Sequence, residues 1–331
     1  MGVSRINNLP DDFEDLRARE KRRGKHGGGW FMRLVAAGIV ITVIIPVLWV
    51  LLYRVVEAPG TLLMARRTSQ DVAVTHQPVR LKDISPHLVR AVIAAEDSGF
   101  CSHNGFDREA IEKAIDYNER QAKRGSNKRR GASTISQQTA KNLFLWPDRS
   151  YVRKGLEVYF TFLIETLWPK KRIMEAYLNA AEFGDGAFGA EAGAQKRFGK
   201  SAKDLSRSEA AKLAAILPSP NKWKINGAFV GRRTGVIVTR MGVVRSDGLA
   251  ACVIGEKPLS APRKKGTAPQ GPTPLPPLPA PPPELTPPEE SAPLEIPQVI
   301  GSAPLEENPQ PEEAAPEPAP SPEEPAPEEK G

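Results

Sequence analysis

From Leu34 to Leu52 the chain reads LVAAGIVITVIIPVLWVLL, apolar throughout except for Thr42. A run of about 19 such residues is long enough to cross a bilayer as a helix. Pro46 is tolerable inside it, because membrane helices accept proline better than soluble ones do. Trp30, Phe31, Trp49 and Tyr53 sit at or near its ends, where amphipathic rings prefer the interface. Residues 55 to 80 show no clear period and read as a stalk. Ser85-Pro86 then supplies a helix cap followed by proline at the first helical position. Leu88, Val92 and Ala95 recur on one face, and this helix ends at Glu96. A second helix starts at Asp107 and is expected to bury Ile111, Ala114 and Ile115. NERQAKRGSNKRRG (Asn118 to Gly131) is nearly devoid of apolar residues and reads as a mobile basic loop. Between Arg153 and Trp168, Leu156, Phe160, Leu163 and Leu167 make a core stripe at helical spacing. On another face Arg153, Glu157, Thr161 and Glu165 follow one another at successive turns. Further helices are expected over Lys171 to Glu182 and Ser206 to Leu217. The latter opens with a capping box, Ser206 and Glu209, and is stopped by Pro218. No strand-like alternation of any strength occurs, so the fold class is mostly α.

Composition changes this picture at both ends. Of 33 prolines, 24 lie beyond Glu256, among Ala, Glu and Ser, a mixture that cannot bury enough apolar surface to order itself. Runs such as PLPPLPAPPPE favour extended polyproline II. The net charge is +7, but the stretch from Glu284 onward carries about −12 and the rest about +19. REKRRGK (Arg19 to Lys25) and Arg33 precede the apolar span, so the N-terminus is expected in the cytoplasm and everything after Tyr53 outside. The long polar N-terminus, the length of the run and the absence of a small-x-small site before YRVVEAPG argue against a cleaved signal peptide. Nucleic acid is thereby an unsuitable partner for the basic body. The expected organisation is a basic cytoplasmic segment (1–33), a transmembrane anchor (34–53), a stalk (54–80), an enzymatic domain (81–253) and a disordered Pro/Glu-rich tail (254–331).

Five stretches carry candidate chemistry: EDSGFCSHNGFD (Glu96 to Asp107), GASTISQQTAKN (Gly131 to Asn142), RKGLEVYFTFLIE (Arg153 to Glu165), KRIMEAYLNAAEFGDGAFGAEAGA (Lys171 to Ala194) and SEAAKLAAILPSPNKW (Ser208 to Trp223). In this order, behind one membrane anchor, they resemble the motifs of the bacterial peptidoglycan glycosyltransferases, and most of all the monofunctional biosynthetic members. The resemblance covers about residues 80 to 252. It implies a lysozyme-like helical domain with a small membrane-facing jaw, and polymerisation of lipid II. The 4-hydroxyl of one unit attacks C1 of another, inverting that carbon and releasing the lipid diphosphate. It places Glu96 as the base; an acid there opposes the helix dipole, which makes a merely decorative role costly. Asp97 would orient the loop. Glu157 would be the second carboxylate, with an ion pair to Arg153 or Arg149 as the plainer alternative. Lys141, Arg149 and Arg153 would hold the diphosphate, or else form a solvated basic face. Ser133, Thr134, Gln137 and Gln138 would line the cleft, though Thr134 with Gln137 is equally a capping box. Glu175 and Asn179 fit substrate contact and structural support alike. Gly155 inside the third motif's helix and Phe183, where the family often has Trp, are the departures from the pattern.

His103 and Asp107 suggest a metal pair, but the chain's four histidines lack ligand spacing, so a hydrogen-bonding role is expected and no metal site is assigned. No cofactor is required; a divalent cation (Mg or Mn) at the diphosphate stays open. NLFLWP (Asn142 to Pro147) is either core or the jaw that meets lipid, and Leu143, Phe144 and Trp146 are expected to touch the membrane. Ser219-x-x-Lys222 matches a penicillin-binding motif formally, yet the remaining chain cannot supply an acyl-transfer domain. The two cysteines, Cys101 and Cys252, would lie in an oxidising compartment and are expected to pair; one buried and one exposed thiol is the alternative. Expected partners are lipid II, the growing glycan strand, membrane lipid and other cell-wall synthesis proteins. Two other functions stay open: a muramidase or lytic transglycosylase, which would not need the diphosphate-binding cations, and a non-catalytic envelope scaffold acting through the tail.

Overall fold

The computed structural model describes residues 30–126, 128–148, 150–259 and 275–281. The basic segment before Trp30, most of the Pro/Glu-rich tail and Arg149 lie outside the described residues.

Helix α1, Trp30–Val55, is apolar and long enough to cross a membrane, with a mean hydropathy of 2.8 in its most apolar stretch and almost no burial there. Its turn Val40–Ile44 is a π-turn just ahead of Pro46. Proline has no N–H to offer the carbonyl one turn back. That carbonyl, on Thr42, accepts the hydroxyl of Tyr159 at 2.9 Å. The stretch expected to be a stalk is built into the body. It contains α2, Leu62–Thr68, capped by Thr61, and β1, Thr75–His76.

The remaining elements are α3 (Pro86–Glu96), α4 (Arg108–Lys123), α5 (Ile135–Phe144), α6 (Tyr151–Leu167), α7 (Lys170–Ala180), β2 (Ala187–Phe188), α8 (Ala190–Phe198), α9 (Arg207–Ile216), α10 (Ala228–Ser246) and α11 (Ala251–Ile254). The two short strands pair in parallel, Thr75 with Ala187 and His76 with Phe188. The turn before β2 admits only glycine at Gly186, whose φ is +76° and where a Cβ would meet the Ala73 carbonyl at 2.3 Å.

The core is organised around α3. Leu88, Val89, Ala91, Val92, Ile93 and Ala94 are all fully buried, so this helix is enclosed on every side. Helices α9 and α10 pack against it, while α5, α6 and α7 pack together in a second group. Ser85 caps α3 by accepting the His87 N–H, and Pro86 follows at the first helical position. The Ser206–Glu209 capping box opens α9.

Three expectations are corrected. Helix α4 runs on to Lys123, so residues 118–123 are helical rather than loop, and Asn118 is buried. Of the apolar residues assigned to its core face, Ala114 is buried but Ile115 is 44% exposed. Leu143 and Phe144 do not face lipid: with Leu145 they are core, and Phe144 stacks on Phe160 at 4.7 Å. Trp146 packs partly buried against the same cluster. On α6, by contrast, Tyr151, Val152, Val158 and Phe162 are exposed.

Candidate active site

Glu96 is the last residue of α3, so its backbone is fixed by the most buried helix in the body. Its carboxylate accepts a hydrogen bond from Gln138 Nε2 at 3.0 Å. The other end of that amide, Gln138 Oε1, lies 3.5 Å from the Tyr177 hydroxyl, which leaves the amide NH2 aimed at Glu96. Burial, reinforced by the Glu96 and Asp97 charges, holds the Tyr177 phenol well above its ordinary pKa, so it stays a donor. Burial also pushes the Glu96 carboxyl up. Arg233, the Gln138 hydrogen bond and Lys141 pull it down, Asp97 adds to the rise, and the balance is upward.

Asp97 organises the loop that follows. It accepts the Ile135 N–H at 3.0 Å, which ties the loop to the first turn of α5. Both its oxygens also face His103 Nε2, at 2.9 and 3.0 Å. The Gly105 N–H donates to His103 Nδ1 at 3.1 Å, so the ring carries its proton on Nε2 and donates it to Asp97. Asp107 caps α4 by accepting the Ala110 N–H at 2.9 Å. Lys170 Nζ reaches the His103 carbonyl at 2.7 Å and Glu165 at 2.7 Å. Glu165 in turn accepts the Ser136 hydroxyl.

The second motif divides its labour. Thr134 and Gln137 form the capping box of α5, and the Thr134 hydroxyl also donates to the Gly105 carbonyl at 2.6 Å. Both are thus consumed in holding α5 against the loop. Ser133 is exposed beside them. Gln138 alone of the four turns to Glu96. Lys141 sits one turn further along α5, and its charge acts on Glu96.

Glu157 is buried in α6 and paired with Arg153 Nη1 at 3.3 Å and with Lys154 Nζ. The pairing with Lys154 was not anticipated. Ser150 caps α6, and Arg149 lies outside the described residues. Asn179 does not line the cleft. It is buried, and its amide is spent on the Val79 backbone, accepting at 3.1 Å and donating at 3.0 Å. Glu175 likewise accepts the Leu81 N–H at 2.6 Å. Both are supports.

The loop has a further fastening. Cys101 and Cys252 form a disulfide, with Cα atoms 5.6 Å apart, between the Glu96 loop and α11. Nearby, Arg90 of α3 makes a two-pronged ion pair with Glu256, one prong at 2.9 Å.

Two arginines near Glu96 escaped the sequence reading, Arg233 and Arg240 on α10. Arg233 is buried, lies over the Trp223 ring at 5.4 Å, and is pushed down by burial while Glu96 holds it up. The signal available was a break in periodicity: Phe229, Val230, Ile237, Met241 and Val244 form a buried stripe that Arg233 and Thr234 interrupt.

Among the described residues Glu157 has no all-protein cage for a divalent cation around it. Glu157 is engaged by two side-chain cations, and hard cations need several oxygens. Among the described residues the one cluster of metal-type side chains is Asp97, His103 and Asp107, within 4.8 Å of one another. Its atoms serve the loop hydrogen bonds just given, so the residues present do not fit a resident metal and no step is routed through one.

A family model described as Transglycosylase matches residues 64–242. Proteins named biosynthetic peptidoglycan transglycosylase are similar to this chain. That of Caulobacter vibrioides is 53% identical over 222 residues, covering 66% of this chain and 95% of its own. That of Rhodospirillum centenum is 51% identical over 226 residues, covering 67% and 96%. A third, of Xanthomonas campestris pv. campestris, is 46% identical over 236 residues, covering 69% and 92%.

Proposed function

The chain belongs to the transglycosylase family and is a peptidoglycan glycosyltransferase, and from that premise we propose that Glu96 is the base that activates the acceptor hydroxyl. The observation that carries this is a buried carboxyl with an upward-shifted pKa, held by Gln138 at the end of α3 and faced by cations. Its raised proton affinity suits a group that must take a proton at the moment of attack. In the step proposed, the acceptor's 4-hydroxyl loses its proton to Glu96 as its oxygen bonds to C1 of the donor. The bond from C1 to the diphosphate breaks on the opposite face, and C1 inverts. The departing charge is met by Lys141, Arg149 and Arg153. Arg153 is itself kept in place by Glu157, whose role is to position that cation.

The substrate proposed is lipid II, acting as acceptor and, with its lengthened strand, as donor. The proposed setting is the inner membrane, with the N-terminus in the cytoplasm and residues after Val55 on the periplasmic side. Both follow from the basic run before α1. We keep 81–253 as the catalytic domain, with 54–80 packed on it. The relatives do not favour a hydrolase or a scaffold.

Glu96→Gln in the full chain should abolish glycan formation from lipid II while lipid II still binds. In the parent, kcat should fall as pH drops through the raised pKa of Glu96, because only the ionised form accepts a proton. Turnover by the variant within a few-fold of the parent, in a gel assay of polymer, would sink the assignment.

A further inference from the structure

Among the described residues, four buried side-chain polar atoms have no hydrogen-bond partner, and three of them lie on α10: Arg233 Nε, Thr234 Oγ1 and Arg240 Nε. Buried donors of this kind are costly to leave unserved, and the protein supplies nothing for them. Arg233 and Arg240 are two helical turns apart and so share a face. The guanidinium of Arg240 is pushed down to about 10, first by burial and then by the positive charges of Arg233 and Arg130, with Glu96 opposing. Arg130 belongs to the basic stretch after α4, for which the proposed reaction has no use. Its backbone is gripped by the buried side chain of Asn118, which accepts the Arg130 N–H at 2.7 Å and donates to its carbonyl at 3.1 Å. Arg233 is oriented by the Trp223 ring beneath it. Arg233 and Arg240 thus lie on one face of α10 within reach of the Glu96 charge, and Arg130, from a separate part of the chain, is near enough to Arg240 for its charge to act there. Among the described residues Glu96 is the one carboxylate that acts on either Arg233 or Arg240, and it is occupied with Gln138. Such a group of planar forks matches a phosphate or a carboxylate.

We propose that Arg130, Arg233 and Arg240 form a second anion-binding element that holds a phosphate or carboxylate group of the acceptor unit. It is separate from the cations assigned to the leaving diphosphate. The proposal rests on Glu96 being the base, since a group held beside the base belongs to the molecule whose hydroxyl the base receives. Fixing that unit at a second point would orient its hydroxyl for attack. Two parts of the acceptor have the required chemistry, its own diphosphate and the carboxylates of its peptide.

The test uses the full chain in vesicles with a donor blocked at its own 4-hydroxyl, so that acceptors are varied alone. Three acceptors are compared: lipid II, lipid II with amidated peptide carboxylates, and an analogue with an uncharged linker in place of the diphosphate. For lipid II, Arg240→Ala and Arg130→Ala should each raise acceptor KM about tenfold, the loss of one charge-assisted hydrogen bond, with kcat little changed. Arg240→Lys should recover part of this, because a point charge lacks the fork. With the acceptor that lacks the engaged anion, parent and variants should converge, and which acceptor does so identifies the group. Penalties equal for all three acceptors, or no penalty while Glu96→Gln remains inactive, would overturn the proposal. Arg130 is exposed, so its variant stays informative even if Arg240→Ala fails to fold. No transfer by the parent chain would bring down the assignment of Glu96 itself, and this proposal with it.

Discussion

Glu96 has to ionise where ionisation is disfavoured, and the side chains around it divide into those that resist its charge and those that accept it. Burial and Asp97 resist; Arg233, Gln138 and Lys141 accept. Because the balance is upward, the folded protein binds this proton more tightly than the unfolded chain does. The sign of the linkage follows. The contribution of Glu96 to stability is fully present below the unfolded carboxylate pKa and is lost as pH rises through the higher folded value. At neutral pH the ionised carboxylate is therefore a burden that a neutral amide of the same shape removes. Glu96→Gln is expected to raise Tm by roughly 2–4 °C at neutral pH, the response of a body this size to about 1 kcal/mol. The gain should vanish as pH falls below about 4, near the unfolded carboxylate pKa. Thermal melts of the two proteins across that range check it. A lower Tm for the variant at neutral pH would mean that the ionised form is net stabilised by Arg233 and Lys141.

Helix α3 carries Glu96, and the segment that follows α10 straps back onto it. The Arg90–Glu256 pair grips the helix, and the Cys101–Cys252 bond grips the loop beyond Glu96. That bond spans 151 residues of sequence, and a cross-link closing so long a loop restricts the unfolded chain strongly. Replacing both cysteines by serine should lower stability by about 2–4 kcal/mol, measured by denaturant unfolding; an unchanged midpoint would show that packing alone holds the strap. These two elements also show what a sequence can and cannot disclose. Helices α3, α6 and α9 were legible because Ser85-Pro86, the Leu156 to Leu167 stripe and the Ser206–Glu209 box are local signals. Helix α10 was not. Gly231, Gly235 and Gly242 lower its helix propensity by about 1 kcal/mol each, and Arg233 and Thr234 break its apolar stripe. Packing against α3 and α9 overrides both. The break was itself the mark of charged groups near Glu96. Asn179 was left between substrate contact and support, because nothing in its own helix says that its partner is the backbone of Val79, 100 residues earlier.

The body is fastened to α1 through α6 and the start of α7. Trp168 Nε1 donates to the Val50 carbonyl at 2.8 Å. Arg172 takes up the carbonyls that end the helix, Tyr53 at 2.7 Å and Val56 at 3.0 Å. Further up, Trp49 meets Phe144 and Phe160 edge-on at 5.3 and 6.2 Å. The contact between Tyr159 and Thr42 then lays α6 along α1. Thr42 lies about 20 Å along the helix from its end at Val55, at about 1.5 Å per residue. The part of α6 that bears Tyr159 therefore packs beside the apolar stretch of α1. This explains why Val158 and Phe162 can be exposed and apolar together on a helix whose other face buries Glu157. The exposed apolar positions beside α1 are thus on α6 and not in NLFLWP. In vesicles containing lipids with a photoreactive group on the acyl chain, the peptide carrying Val158 and Phe162 should be labelled along with α1. The peptide carrying Leu143 and Phe144 should not be. Phe144→Ala should instead destabilise the body by about 3–5 kcal/mol, as for a buried aromatic ring removed from a core. Labelling confined to α1, with a stable Phe144→Ala variant, would place α6 in water and return the aromatic cluster to the membrane surface.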